Sequence, residues 1–306
     1  MVFKEDQMTS SKETKQNKIL VLGSEGQLGS SLLKTLGKNF IVEGINKKKF
    51  NFLEPKNFSN LLKKDEINYV INAAAYTNVE QAEIEVDFAK QINGEALKFI
   101  AQACNEKKIK LFHFSTDYVF DGTKGNPYSE GDEPNPISSY GKSKLLGEKF
   151  ILDNTDNFLI FRTSGIISKN PNNFIFKIIS ASKSQNELKI VDDQTTSLNF
   201  SGFLAEAILK ILKDHENEED KSKGIFNLVG PNYGSWYDFA KFTQHLCSLK
   251  GINSGFAKIN IVPVNTEEMN FKAKRPKFSH LSSDKIKNSY SLSLPNWEKS
   301  IEEILS

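Results

Sequence analysis

The sequence has only two cysteines, Cys104 and Cys247, far apart in the stretches AQACNE and QHLCSL. Two isolated thiols build neither a disulfide framework nor a zinc site, and they suit a reducing compartment. The four histidines, His113, His215, His245 and His280, share no ligand spacing, so no metal centre is expected. Nowhere do about 18 apolar residues run together, which excludes a membrane-spanning helix. The first 17 residues, MVFKEDQMTSSKETKQN, lack the apolar run of a secretory signal. They read as a disordered leader (1–17) on a cytoplasmic protein. Charge of one sign is also missing. The 40 basic and 38 acidic residues leave a net charge of +2, without the clustered basic surface that nucleic acid requires. No internal repeat is present.

What is present is an alternation of short apolar runs and helical spacings. Strands are expected at 18–22, 40–45, 68–72, 110–114 and 158–163, and helices at 27–36, 55–64, 85–106 and 139–153. Strands that are apolar throughout belong in a parallel sheet covered on both faces. The fold class is therefore α/β: a Rossmann-like, doubly wound parallel sheet with a smaller C-terminal lobe. After about residue 165 the pattern changes. Helices fit 171–183, 200–213 and 235–249, and short strands fit 188–191 and 225–229. DHENEEDKSK (214–223) reads as a charged surface loop, and WEKSIEEIL (297–305) as an amphipathic tail helix. The division is 18–165 for a dinucleotide-binding domain and 166–306 for a substrate-binding lobe, partly interleaved with the sheet.

The first strand runs into Gly23-Ser-Glu-Gly26-Gln27-Leu28-Gly29. Glycines let the backbone turn tightly and approach a pyrophosphate, and the following helix N-terminus offers N–H groups and a positive dipole end. The position, after a strand and before a helix, is the context in which such a motif binds a dinucleotide. The second strand ends in Gly44-Ile45-Asn46-Lys47-Lys48-Lys49. An acidic residue there would bind the ribose hydroxyls and repel a 2′-phosphate. Asn46 and the lysines favour NADPH over NADH instead.

Two further segments carry chemistry. Ser115-Thr116-Asp117-Tyr118 follows the fourth strand, where ligands of open α/β sheets bind. Tyr140 and Lys144 stand four apart on one helical face. Reduction of a carbonyl needs a hydride at carbon and a proton at oxygen. Tyr140 can donate that proton, an ammonium at Lys144 can lower the phenol's pKa and bind the nicotinamide ribose, and Thr116 can hydrogen-bond the carbonyl oxygen.

With these motifs together the chain resembles the extended short-chain dehydrogenase/reductase family. The matching stretches are Gly23–Gly29, INAAAYTNVEQAE (71–83), FSTDYVFDG (114–122), YGKSKLLGEK (140–149), FRTS (161–164) and GIFNLVGP (224–231). The likeness is greatest to members that reduce nucleotide-linked 4-keto-6-deoxy sugars, in dTDP-L-rhamnose or related deoxysugar and polysaccharide synthesis. It implies that Gly26, Gln27 and Leu28 touch the pyrophosphate, that Asn51 and Phe52 lie near the adenine, and that Ala73, Ala74 and Ala75 line the dinucleotide path. It implies Tyr140 and Lys144 as the catalytic pair, Thr116 and Asp117 on a nucleotide-sugar substrate, and a homodimer. Asn93 stands where the family often has Asn, either satisfying backbone groups or serving the cofactor or a proton relay. His113, after an apolar strand, reads as a satisfied core residue, and His280, in a motif of the second lobe, as a candidate phosphate contact.

Departures cluster in the second lobe. Gly165 replaces the Trp that usually follows RTS and packs on the sugar. The DQxGxPT loop reads Asp193-Gln194-Thr195-Thr196-Ser197-Leu198-Asn199, and RPxNSxL reads Arg275-Pro276-Lys277-Phe278-Ser279-His280-Leu281. These changes predict a sugar other than the rhamnose precursor. Two other readings stay open: a sugar-nucleotide epimerase of the same fold, and a non-catalytic NADP-binding regulatory subunit such as that of methionine adenosyltransferase. A dehydratase is disfavoured because Tyr118, not Glu, follows Thr116-Asp117.

Overall fold

The computed structural model describes residues 17–63, 66–217 and 223–306. The expected leader up to residue 16 and positions 218–222 of the expected charged loop lie outside them. Six parallel strands form the central sheet: β1 (Lys18–Leu22), β2 (Ile41–Ile45), β3 (Tyr69–Asn72), β4 (Lys110–Thr116), β5 (Phe158–Thr163) and a sixth, Gly224–Asn227. In chain order that sixth strand is β10. Before it come β6 (Gly165–Ile167), β7 (Glu187–Val191), β8 (Thr195–Thr196) and β9 (Leu198–Phe200), and after it β11 (Gly234–Ser235) and β12 (Asn260–Val264). The sheet order is β10-β5-β4-β3-β1-β2. The direction of winding reverses between β1 and β3, which opens a crevice at their carboxyl ends.

Alternate residues of these strands feed two cores. Ile19, Val21, Ile71, Phe112 and Phe161 face one side. There α1 (Gln27–Leu36) packs through Leu28, Leu32 and Leu36. Leu20, Leu22, Val70, Leu111 and Ile160 face the other. This double burial is why the strands read as unbroken apolar runs. A third core, with Ile175, Leu188, Phe239, Trp297 and Ile301, holds the second lobe together.

The helices depart from their expected lengths in three places. The segment 55–64 is a 3₁₀ turn, Pro55–Asn57, followed by the short α2 (Phe58–Leu61). Phe58 and Leu62 are its buried anchors, too few to carry a longer helix. After α3 (Val79–Ala82), the stretch 85–106 is split into α4 (Val86–Lys90), a π turn (Gln91–Glu95) and α5 (Ala96–Glu106). The π turn bulges against α6 (Ser139–Asn154): a Cβ on Gly94 would lie 2.6 Å from Leu146, and one on Gly147 would collide with the Asn93 carbonyl. Such bulges recur at functional sites. After α7 (Phe174–Ala181), the helix expected at 200–213 is α8 (Ser201–Asn217), which takes in the first four residues of the expected loop. The remaining helices are α9 (Trp236–Lys250), α10 (Ser254–Lys258), α11 (Asp284–Tyr290) and α12 (Trp297–Ile304).

One charged residue stands in the apolar β5. Arg162 is 2% exposed and meets Glu148 of α6, 1% exposed, in a two-pronged pair with Nε–Oε1 3.0 Å and Nη2–Oε2 2.7 Å. Ser115 donates to the same carboxylate at 2.5 Å, and the guanidinium lies 5.1 Å from the Phe120 ring centre. This pair fixes α6 on the sheet. Glu148→Ala should cost about 3–5 kcal/mol in urea unfolding because it leaves Arg162 buried and unpaired. Replacing both partners by Met should cost less than that single change. Equal or greater loss in the double variant would show that the pair itself, not the stranded charge, is what stabilises.

Candidate active site

The glycine turn follows β1 directly. Gly23 sits at φ +75° and donates its N–H to the Ile45 carbonyl at 3.0 Å. A Cβ on it would lie 2.7 Å from the backbone of Ala74, so the turn and the carboxyl end of β3 touch across the crevice. Helix α1 then follows Gly26, with no side-chain cap and no acidic residue in its first turn. Those first N–H groups are left to a ligand, as a pyrophosphate requires. Gln27 and Gly29 are on this turn, and Ala73, Ala74 and Ala75 line the facing β3 end, half-buried. Leu28 has its side chain in the core, so its contribution to a phosphate is its backbone N–H. These features fit a dinucleotide.

The residues at the far end of the crevice qualify the sequence reading. Asn46 donates to Glu25 at 2.8 Å and accepts the N–H groups of Lys48 and Lys49. The turn thus delivers a carboxylate to a place where the local sequence shows none. Lys49 is held by Glu43 at 2.9 Å, while Lys47 and Lys48 are exposed. Asn51 is exposed and accepts from Leu53 N–H, and Phe52 packs edge-on to Phe50.

Thr116, Asp117, Tyr140 and Lys144 come together where β4 meets α6. The Thr116 hydroxyl donates to Asp117 at 3.1 Å. Donation to a substrate oxygen therefore needs that hydroxyl to rotate. Asp117 is buried, and it also accepts from Thr196 at 3.0 Å and from Ser279 at 2.5 Å. Burial pushes its carboxyl up to about 6, against the pull of those three hydroxyls. Expected as a substrate contact, Asp117 is here a hub that joins β4 to two segments of the second lobe.

Tyr140 stands edge-on to Tyr118, ring centres 5.9 Å apart. Burial raises its phenol to about 12, with Thr116 pulling it down and Asp117 adding to the rise. The lowering expected from Lys144 is not what this geometry delivers. Lys144 is buried and turns inward, donating to the Phe114 carbonyl at 2.7 Å beside His113 Nε2 at 3.3 Å. Desolvation lowers the Lys144 amine to about 8, with Glu148 opposing.

Asn93 donates to the Tyr76 carbonyl and to Ser143, and accepts from Tyr76 N–H. That matches its bland reading, a clamp on the backbone after β3. His280 is buried, and burial lowers it to about 4, so it carries no positive charge for phosphate at neutral pH. Ser197 gives its one proton to the Asn232 carbonyl, so His280 Nδ1–H donates to Ser197 Oγ at 2.7 Å.

The lobe departures are repacked rather than vacant. A Cβ on Gly165 would lie 3.0 Å from Leu198 and 3.6 Å from the Trp236 indole. Phe278 stands edge-on to Tyr233, ring centres 5.1 Å apart. Asn72, Glu148 and Arg162 were given no role from sequence, and His113, Thr196 and Ser279 none at the site. An arginine inside an apolar strand was a legible signal for a buried partner, and Glu148 continues the four-residue spacing of Tyr140 and Lys144. Thr196 and Ser279 lie in the two departing motifs of the second lobe, but nothing local marks them as partners of Asp117.

A family model described as RmlD substrate binding domain matches residues 17–306. The dTDP-4-dehydrorhamnose reductase of Salmonella typhimurium is 32% identical over 292 residues, 94% of this chain and 97% of that protein. The crystal structure of dTDP-4-dehydrorhamnose reductase from Bacillus anthracis in complex with NADP matches with a TM-score of 0.86 at 30% identity, covering 95% of this chain and 99% of that one. The Clostridium acetobutylicum ortholog matches at 0.85 and 33%, covering 94% and 98%.

A histidine held neutral by burial binds its proton more weakly folded than unfolded. The stability it contributes is complete above its unfolded pKa, near 6.5, and is lost as pH falls toward 4. His280→Gln should therefore lose less stability than the parent between pH 7 and 5, by about 2 kcal/mol in denaturant midpoints. Asp117, raised to about 6, acts with the opposite sign but is common to both proteins. Parallel pH profiles would overturn the assignment.

Proposed function

The chain belongs to the RmlD substrate binding domain family, and we propose that it is an NAD(P)H-dependent oxidoreductase that reduces the 4-keto group of a dTDP-linked 4-keto-6-deoxy sugar in dTDP-L-rhamnose biosynthesis. Its relatives over nearly the whole length are dTDP-4-dehydrorhamnose reductases, one of them solved with NADP. The observation that carries the reading is the meeting of Thr116, Tyr140 and Lys144 at the carboxyl edge of the sheet, on the crevice that the glycine turn opens. Residues 18–165 are then the cofactor half and 166–306 the substrate half, with β10 threaded into the sheet. A nucleotide sugar suits a cytoplasmic enzyme, and no helix among the described residues is long and apolar enough to cross a membrane.

A nicotinamide held there would supply the hydride that the keto carbon takes. The protein's own residues do the rest. The free N–H groups of Gln27, Leu28 and Gly29 hold the pyrophosphate. Gly23, Gly26 and Ala73–Ala75 let the cofactor lie against the backbone, with Asn46, Asn51 and Phe52 toward the adenosine end. Burial keeps Tyr140 protonated at neutral pH, which is the form an acid must have. Tyr140 gives that proton to the carbonyl oxygen. Thr116 rotates its hydroxyl from Asp117 to the same oxygen, and Asp117 holds Thr116 in place. Lys144 is the residue that would bind the ribose, by turning from the Phe114 carbonyl, and as an ammonium it would offset charge left on Tyr140.

We take the rhamnose precursor as the sugar, despite the departures. Trp236 brings an indole to the space beside Gly165, which supports an aromatic wall supplied from α9. The exposed apolar side chains Ile84, Val86 and Phe88 support a homodimer.

Tyr140→Phe should abolish oxidation of NADPH by dTDP-4-dehydrorhamnose, by on the order of a hundred-fold or more, while cofactor binding persists. Retained turnover would remove Tyr140 as the acid. Turnover of other keto sugars, with none of this one, would restore the altered-sugar reading. Glu25 and the lysines pull cofactor choice in opposite directions, so both NADPH and NADH should serve. Glu25→Gln should raise the NADPH to NADH ratio of kcat/KM by about five-fold, and an unchanged ratio would place Glu25 away from the ribose.

A further inference from the structure

The three buried groups behind the active site form a chain whose donors and acceptors can be assigned. Ala74 N–H points at Asn72 Oδ1, 3.0 Å away. A backbone N–H can only donate, so the Asn72 amide cannot be the other way round. Its Nδ2 therefore donates to His113 Nδ1, 3.0 Å away. A neutral imidazole has one acceptor nitrogen and one N–H. With Nδ1 accepting, the proton is on Nε2, and that N–H faces Lys144 Nζ at 3.3 Å. An ammonium has no lone pair to accept it. A free amine does, and still donates to the Phe114 carbonyl at 2.7 Å.

We propose that Asn72 and His113 are positioning residues that loosen the hold of Lys144 on its proton, by presenting it with the Nε2–H of a tautomer locked from the Ala74 backbone. His113 is buried, and burial keeps it well below the usual histidine range, so the imidazole is neutral. The other charged and titratable groups around Lys144 are Tyr140 and Glu148 on its own helix, Arg162 on β5, and Asp117 and Tyr118 after β4. Glu148 favours the ammonium, but its carboxylate is already bound by Arg162 and Ser115. From the π turn, Asn93 adds no charge.

The consequence rests on the reductase reading. There, Lys144 must carry a proton to offset the charge left on Tyr140, so the alkaline limb of kcat follows the Lys144 proton. The Asn72 amide, which touches neither substrate nor cofactor, sets where that limb falls.

The direct test needs no turnover. The full chain, labelled with ¹⁵N-histidine, is examined by long-range proton–nitrogen correlation, with His113 assigned from its absence in His113→Gln. The expected result is Nε2 protonated and Nδ1 bare near neutral pH, with Lys144 titrating below the other lysines. An Nδ1–H tautomer, a cationic His113, or an ordinary Lys144 titration overturns the proposal. In Asn72→Asp a carboxylate accepts from Nδ1–H, so the tautomer should invert and the Lys144 titration, with the alkaline limb of kcat, should rise by about 1 pH unit or more. An unmoved tautomer and limb in a folded variant also overturns it. If the Asn72→Asp variant does not fold, the parent's tautomer still decides. Absence of keto-sugar turnover with the expected tautomer would defeat the functional reading alone. Turnover with the wrong tautomer would defeat this inference alone.

Discussion

The site depends on one buried carboxylate. Asp117 follows β4 and accepts from Thr116 beside it, from Thr196 in the second lobe, and from Ser279 far along the chain. Those three hydroxyls compensate a charge that would otherwise not tolerate burial. Because they come from the end of β4 and from two segments of the second lobe, the same contacts set where that lobe sits against the sheet. Gly122 adds a steric reason for that placement, since a Cβ there would lie 2.5 Å from Pro276. The hub therefore couples the placement of the second lobe to the position of Thr116, the hydroxyl we propose to meet the reacting oxygen.

Helix α6 carries the proposed catalytic pair and its own anchorage on the same face. Tyr140, Lys144 and Glu148 follow each other at four-residue intervals, and each meets a different partner of the sheet. Glu148 is bound to Arg162, Lys144 to the end of β4, and Tyr140 reaches the crevice. The desolvation that keeps Tyr140 protonated is the same desolvation that lowers the Lys144 amine. A single dry environment thus supplies the acid in its protonated form and leaves the lysine's proton to be decided by its neighbours.

Much of this was legible. The apolar runs identified the parallel strands because both sheet faces are covered, and the glycine spacing after β1 located the turn. The i, i+4 pair Tyr140 and Lys144 was legible because helical geometry is local. The length of the helix before β4 was not, because the π turn at Gln91–Glu95 answers to α6 packing against Gly94 and Asn93. The carboxylate near Asn46 was missed for a similar reason. Glu25 precedes it by a whole helix and strand, and only the turn brings it there. In the second lobe, strands of two or three residues such as β8 and β11 leave no periodicity to read.

By itself the sequence determined the fold class, the family, the glycine turn after β1 and the placing of Tyr140 and Lys144 on one helical face, since each of these rests on spacings within one or two elements. The tertiary structure decided the states and tasks of those residues. Whether Tyr140 is raised or lowered, whether Asp117 touches substrate or ties segments, and which nitrogen of His113 carries the proton depend on burial and on partners from distant segments. Proton affinity is set by the environment within a few ångströms, and that environment exists only once the chain has folded.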